Sequence, residues 1–339
     1  MKRSPAALAP PPCMRLRLPG PLLTMVLTRT SPYFAAPASK LVARAAPASS
    51  SAGAAPSPKK RAGSGSSSAP APSPSPKKRA RSPKKEAPAL EPPAGWRSTY
   101  DLITELRADR TAVVDSMGSE AIATSAGSAE ERNYQVLVSL MLSSQTKDTT
   151  NAATMAKLRA HGLTMANILA TPDDELDELI RAVGFHNNKV KFIKATTRLL
   201  VDEHDSTVPD TLEALTALPG VGPKMALICL NVCFDKIVGI SVDTHVHRIS
   251  NQLGWTGGGA PTKNPEATRA ALESWMPFEV WGEVNLLLVG LGQEVQTEKP
   301  KLLRKVLACS DPPAALRLLE VCGVDVAKEG AKHGIDVPA

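Results

Sequence analysis

From Trp96 onward, apolar residues recur at spacings of three and four, and turn residues divide them into short blocks. This is the periodicity of helices with one buried face. Tyr134, Val136, Leu137, Leu140, Met141 and Leu142 predict a largely buried helix. Thr171-Pro172-Asp173-Asp174-Glu175 reads as a helix start, with a hydroxyl N-cap, proline at the first helical position and carboxylates in the first turn. Leu176, Leu179, Ile180 and Val183 continue that helix, and Gly184 supplies its stop. Val190, Ile193, Leu199 and Leu200 predict the next helix, and Leu212, Leu215 and Leu218 another. Only 237–242 is β-prone, and Gly239 interrupts it. The expected fold class is all-α.

The pattern fails before residue 96, where 19 of the 30 prolines lie among Ala, Ser and Gly. The first acidic residue is Glu86, so residues 1–85 carry 16 basic side chains and no acid. Beneath a total charge of +7, this leaves 24 basic against 33 acidic residues in 86–339, a body of −9. Such a tail cannot bury enough apolar surface to offset its ordering entropy, so 1–95 is expected to be disordered. Arg15, Arg17, Arg29 and Arg44, set among Ser, Thr and Leu, have the composition of an organelle transit peptide, with Met14 and Met25 as later starts. Lys59, Lys60, Arg61 and then Lys77, Lys78, Arg79, Arg81, Lys84 and Lys85 lie in Ser-Pro repeats and read as a nuclear import signal or a nucleic-acid arm. Nucleus and mitochondrion are the expected locations, with a plastid as the alternative organelle and a plain solvated tether as the rival reading. A positive arm adds salt-dependent attraction to a polyanion. The most apolar stretch, 16–27, is broken by Arg17, Pro19, Gly20 and Pro21, so no membrane span is expected. Cys13, Cys229, Cys233, Cys309 and Cys322 are too few and scattered for a disulfide scaffold, and point to a reducing compartment.

A helix over 211–218 runs into Pro219-Gly220-Val221-Gly222-Pro223, and a second begins at once with Lys224. This predicts an αα-hairpin over 211–234. Gly220 and Gly222 would let the backbone approach something bulky outside the hairpin. The unpaired amides at the mouth of the second helix suit an anion such as phosphate. Alone, the motif implies only contact with a nucleic-acid backbone, and a structural turn is the competing reading. A nucleotide P-loop is disfavoured, because the four-residue spacer and the hydroxyl residue after Lys224 are missing. Nineteen residues beyond Lys224 lies Asp243, within Val242-Asp243-Thr244-His245.

LPGVGPK followed by VDTH closely resembles the endonuclease III family of DNA glycosylases. LMLSSQTKD at 140–148, VGFHNNKVKFIK at 183–194, VDTHVHRISNQLGWT at 242–256 and NLLLVGLGQ at 285–293 are similar to its eukaryotic branch, so the resemblance spans about 97–293. It implies two helical lobes with a DNA-binding cleft between them. The central lobe would be 129–254, with the helix-hairpin-helix at 211–234; 96–128 and 255–339 would form a split second lobe. It also implies a bifunctional glycosylase and AP lyase acting on oxidised pyrimidines. Lys224 would attack the sugar carbon as a neutral amine, whose ammonium form a helix mouth disfavours. Asp243 would accept a proton and stabilise the oxocarbenium-like sugar. The resulting Schiff base would break the strand by β-elimination. Family members that only remove bases lack this lysine. A flipped base would leave a gap for Gln145 to fill, with Phe185 as a wedge beside it and Asp148 and His245 near the pocket. Judged without the family, Gln145 and Asp148 could be capping groups, Phe185 a core residue and His245 a satisfied histidine. Asp243 could cap the helix that starts at Thr244, a role compatible with catalysis. The implied partner is double-stranded DNA containing damaged bases or abasic sites, and a monomer is expected.

Most relatives hold a [4Fe-4S] cluster on four closely spaced C-terminal cysteines. After Gln293 this chain has only Cys309 and Cys322, and two thiolates thirteen residues apart cannot supply four ligands. No cluster and no other metal is expected, and Cys229 and Cys233 read as apolar packing. Lys299, Lys301, Arg304 and Lys305 are the candidates to meet DNA in place of the loop that the cluster supports. Helices over 313–322 and 324–333 would pack where the cluster would be. Two rivals are a noncatalytic helix-hairpin-helix binding module, which makes the pairing of Lys224 with Asp243 accidental, and a monofunctional mismatch adenine glycosylase, which Lys224 disfavours.

Overall fold

The computed structural model describes residues 90–122, 127–257 and 259–338. The basic clusters of the tail and the transit peptide and import signal expected there lie outside these residues. Sixteen α-helices are present among the described residues. They begin with α1 (Trp96–Leu106), α2 (Val113–Met117), α3 (Ser119–Ile122), α4 (Ala129–Ser143), α5 (Asp148–His161) and α6 (Met165–Ala170). Next come α7 (Asp173–Ile180), α8 (His186–Glu203), α9 (Leu212–Ala217), α10 (Pro223–Phe234) and α11 (Thr244–Gln252). The chain closes with α12 (Pro265–Glu273), α13 (Trp281–Thr297), α14 (Lys299–Ala308), α15 (Pro312–Val321) and α16 (Val326–His333). No strand occurs among the described residues, and the β-prone 237–242 stretch contains no regular element.

Two apolar cores organise these helices. In the first, α4 is buried continuously from Tyr134 to Leu142 and is surrounded by residues such as Leu158, Ile180, Ile193, Leu215 and Leu230. A helix apolar on all sides needs neighbours on all sides, and this one is the axis of its lobe. The second core joins Ile103 and Leu106 of α1 to Val246 and Ile249 of α11, Leu288 and Leu291 of α13, Leu303 of α14 and Leu319 of α15. The division between cores differs from the expected boundary at 254. Ile240, Val242, Val246 and Ile249 all belong to the second core, so the crossover falls between Phe234 and Ile240. The tail boundary also shifts. Leu90 already packs on the second core, and its amide donates to Ser274 Oγ at 3.3 Å.

Side-chain caps open several helices, among them α4 at Ser128, α6 at Thr164 and α9 at Thr211, but not the one expected at Thr171. Pro172 is the N-cap of α7, without a side-chain cap bond. The Thr171 hydroxyl is committed to the preceding helix, donating to the Asn167 carbonyl at 2.8 Å and meeting His161 Nε2 at 2.9 Å. Helix α7 ends at Ile180 with Arg181 as C-cap, ahead of the expected stop at Gly184.

The second lobe is pinned by buried charge. Fully buried Arg107, at the end of α1, contacts Asp115 of α2 at 2.5 Å and Glu294 of α13 at 2.9 Å. Lys305 of α14 closes the network, 2.8 Å from Glu294 and 2.7 Å from Asp109. This corrects the expected role of the α14 lysines. Lys305 and Lys301 pair with Asp109, and Lys299 pairs with Glu329 at 2.8 Å, so these three charges are answered within the protein. Truncating one member of such a network leaves its partners buried and uncompensated. Arg107→Ala is expected to destabilise the fold by about 3–5 kcal/mol in urea unfolding, and a loss below about 1 kcal/mol would show that the network contributes little.

Candidate active site

Thr211 caps α9 through its hydroxyl, which accepts the Ala214 amide at 3.3 Å, and the helix ends at Ala217. The following turn is anchored from α8, where the Thr196 hydroxyl donates to the Pro219 carbonyl at 2.8 Å. Its two glycines serve different purposes. Gly220 has φ +79°, and a Cβ there would lie 2.8 Å from Phe192, so the packing of the turn against α8 requires it. Gly222 is the N-cap of α10 in an extended conformation with open space beyond its Cα. Val221 points inward at 7% exposure, and its amide donates to the Leu218 carbonyl at 3.2 Å. Of the three residues expected to approach a ligand, Gly220 is exposed, Gly222 is half-buried with open space beside its Cα, and Val221 is buried. Gly222 makes no side-chain cap bond, and Pro223 at the first position brings no amide, so the first turn of α10 presents its remaining backbone donors outward.

Lys224 follows in that first turn. Its Nζ lies 3.8 Å from Asp243 Oδ2, with the lysine side chain 41% and the aspartate side chain 14% exposed. The other carboxylate oxygen, Oδ1, accepts the Val246 amide at 2.8 Å and caps α11. Asp243 thus caps α11 with one oxygen and faces the Lys224 amine with the other.

His245 is half-buried, one residue into α11, against α13 at Gly292. Burial holds its imidazole below the ordinary histidine pKa, helped by Arg248 and Lys224 and opposed by Asp243 and Asp148. The site residues Lys224, Asp243, His245 and Asp148 therefore share one electrostatic neighbourhood. Asp148 opens α5, and its Oδ2 accepts Gln293 Nε2 at 2.7 Å. Gln293 in turn accepts the Val114 amide of α2 at 2.9 Å through Oε1. Its individual role was missed by sequence reasoning, although it closes the NLLLVGLGQ segment. No local pattern signals a residue whose partners are 145 and 179 positions away.

Gln145 and Phe185 form a second group. Both have positive φ, 54° and 57°, without being glycine, a conformation that costs about 1–3 kcal/mol each. Gln145 is exposed, and Phe185 is 65% exposed rather than core. Phe185 and Gly220 line one cavity of about 230 Å³ with Met141, Ser144 and Phe192, which puts the hairpin turn beside this group.

The C-terminal thiols do not fit a four-thiolate cluster. Cys322 is buried in the second core, and burial pushes its thiol up to about 11, whereas cluster ligation needs a thiolate. Cys309 donates to the Val306 carbonyl at 3.0 Å. Cys229 and Cys233 pack on α10, with sulfurs 3.8 Å apart. Among the described residues, no group of three His, Cys, Asp or Glu side chains is arranged to hold a metal ion.

Residues 138–278 match the family model of the HhH-GPD superfamily base excision DNA repair protein. The chain is 49% identical to endonuclease III-like protein 1 of Bos taurus over 62% of its own length and 68% of that protein. It is 46% identical to endonuclease III-like protein 1 of Gallus gallus over 62% of its length and 75% of the relative. A solved non-covalent endonuclease III–DNA complex aligns at 24% identity with a TM-score of 0.48, covering 58% of this chain and 85% of that one. The chain belongs to the endonuclease III family of helix-hairpin-helix base excision DNA repair proteins.

The electrostatics of His245 can be read directly. The folded protein holds the imidazole proton more weakly than the unfolded chain does. Stability from this group is therefore complete above about pH 6.5 and is lost as pH falls through the lower folded-state value. NMR titration should place the His245 midpoint below about 6.5, and a midpoint at or above that value would contradict the role of burial.

Proposed function

We propose that this protein is a bifunctional DNA glycosylase and AP lyase of base excision repair, which binds damaged DNA, removes oxidised pyrimidines and cuts the strand at the resulting abasic site. Membership of the endonuclease III family supports this function. The observation that carries the mechanism is the Lys224 amine at the mouth of α10, 3.8 Å from a carboxylate that α11 holds by its own cap. A noncatalytic hairpin would leave that pairing without a purpose.

Backbone amides of the hairpin bind phosphate, which lets an acidic body grip a polyanion without spending side-chain charge. Asp243 Oδ2 faces the amine, takes up the proton that Lys224 loses and passes it on toward the departing base, and the carboxylate so restored opposes the positive charge that develops on the sugar. Neutral Lys224 Nζ then attacks C1′, and the C1′–N bond breaks with its electron pair leaving on the base, which is protonated as it departs. Loss of a proton from the new amine and opening of the sugar at O4′ give a protonated Schiff base. Removal of a C2′ proton expels the 3′ phosphate by β-elimination, and water finally releases the lysine. Gln145 and Phe185 occupy the space left by the flipped nucleotide, while Asp148 and His245 border the pocket that receives its base.

We further propose that the enzyme works without an iron-sulfur cluster, supported by the two ill-suited C-terminal thiols and by the packing of α14, α15 and α16 on the second core. The tail composition supports delivery to both nucleus and mitochondrion.

Borohydride reduction on abasic-site DNA should trap the full-length protein covalently, and Lys224→Ala should abolish the adduct while leaving thermal unfolding unchanged. An adduct that persists at full yield in Lys224→Ala would remove this amine from the mechanism. Iron and acid-labile sulfide assays on purified active protein should read zero; stoichiometric iron with sulfide would refute the cluster-free proposal.

A further inference from the structure

One buried amine has no part in the chemistry above. Lys189 of α8 is 5% exposed and lies beside the cavity next to Phe185. Its Nζ donates to the Leu142 carbonyl at 2.7 Å, the Ser144 carbonyl at 2.7 Å and Thr146 Oγ1 at 3.1 Å. An ammonium has three donors, and all three are engaged. Burial lowers its pKa to about 8, so the ammonium still predominates at neutral pH. The protons point into the protein toward backbone acceptors, which makes Lys189 a poor second nucleophile.

Those acceptors reveal what it holds. Leu142 and Ser144 supply carbonyls at the C-terminal end of α4, where helical partners run out and positive charge is favoured. Thr146 Oγ1 also accepts the Gly184 amide at 3.3 Å and donates to the Ser144 carbonyl at 3.2 Å. Gly184 lies so close that a Cβ on it would be 2.6 Å from the Gln145 carbonyl. The segment 144–146 and the pair Gly184-Phe185 are therefore locked together, with Lys189 at the hub. Both outward-facing residues of this unit, Gln145 and Phe185, are in the left-handed region. A strained conformation of this kind persists only where its surroundings enforce it.

We propose that Lys189 is a positioning residue that fixes Gln145 and Phe185 as one rigid opener, so that both enter a base-paired duplex together. The proposal rests on the reading above in which these two side chains fill the space of the flipped nucleotide. Lys189 then matters where a duplex must be opened, and little where the damaged nucleotide is already unpaired.

The test compares single-turnover excision of an oxidised pyrimidine from a fully paired duplex and from the centre of an unpaired bubble, using the full-length protein. Lys189→Met should lose about 10-fold or more on the paired substrate and stay within about 2-fold on the bubble, with Thr146→Val shifting in the same direction by less. Equal losses on both substrates, or no loss on either, would overturn the proposal. Should Lys189→Met fail to fold, Thr146→Val decides alone, since it removes only a hydroxyl: a paired-selective loss supports the proposal and its absence overturns it. Gln145→Ala and Phe185→Ala serve as references. A paired-selective loss in these two without one in Lys189→Met overturns only the role of Lys189, whereas no selectivity in any of the four variants overturns the opener reading itself.

Discussion

The active site depends on how one carboxylate divides its two oxygens. Asp243 uses Oδ1 to close the first turn of α11 and presents Oδ2 to the Lys224 amine. The first contact is intrinsic to a helix start, so the second inherits a fixed direction without dedicated support. It also joins the lobes, since α10 is rooted in one core and α11 in the other. The pairing of amine and carboxylate therefore depends on how the two cores pack on each other.

The same economy of helix ends recurs around this pair. Asp148 begins α5, Lys224 lies in the first turn of α10 and Asp243 precedes α11. The partial positive charge of these termini suits both the two carboxylates and a bound phosphate. The lysines of α14, by contrast, are engaged with Asp109, Glu294 and Glu329. Attraction to DNA in this region falls to backbone dipoles, and the cationic side chains hold the second lobe together.

How much was legible in the sequence follows from the range of each interaction. Whereas the pairing of Lys224 with Asp243 as a site came from the family resemblance, the hairpin and the cap open to Asp243 are local and could be read from residue type at short spacing. The all-helical class followed from apolar periodicity for the same reason. Gln293 and the paired lysines of α14 escaped because their partners come from distant segments, and a glutamine or lysine looks alike whether it faces solvent or a buried acid. The expected lobe boundary fell elsewhere because Gly239 read as the interruption of a β-prone stretch and not as a crossover, while the apolar stripe of α11 does not reveal which core it faces. Thr171 had the right neighbours for an N-cap, yet its hydroxyl bonded backwards, an outcome that spacing alone does not distinguish. Gly220 and Gly222 looked equivalent in the motif and became distinct only once Phe192 was placed beside the first.

The split of the second lobe has a consequence for the birth of the protein on the ribosome. The first core is contiguous, from Tyr134 to Leu230, and can condense while the remainder is still being made. Arg107 emerges earlier still, but its partner Glu294 is synthesised 187 residues later. Until then α1 has no completed core to join. The amine of the candidate site is thus made with the first core, before the second core that carries its carboxylate is complete.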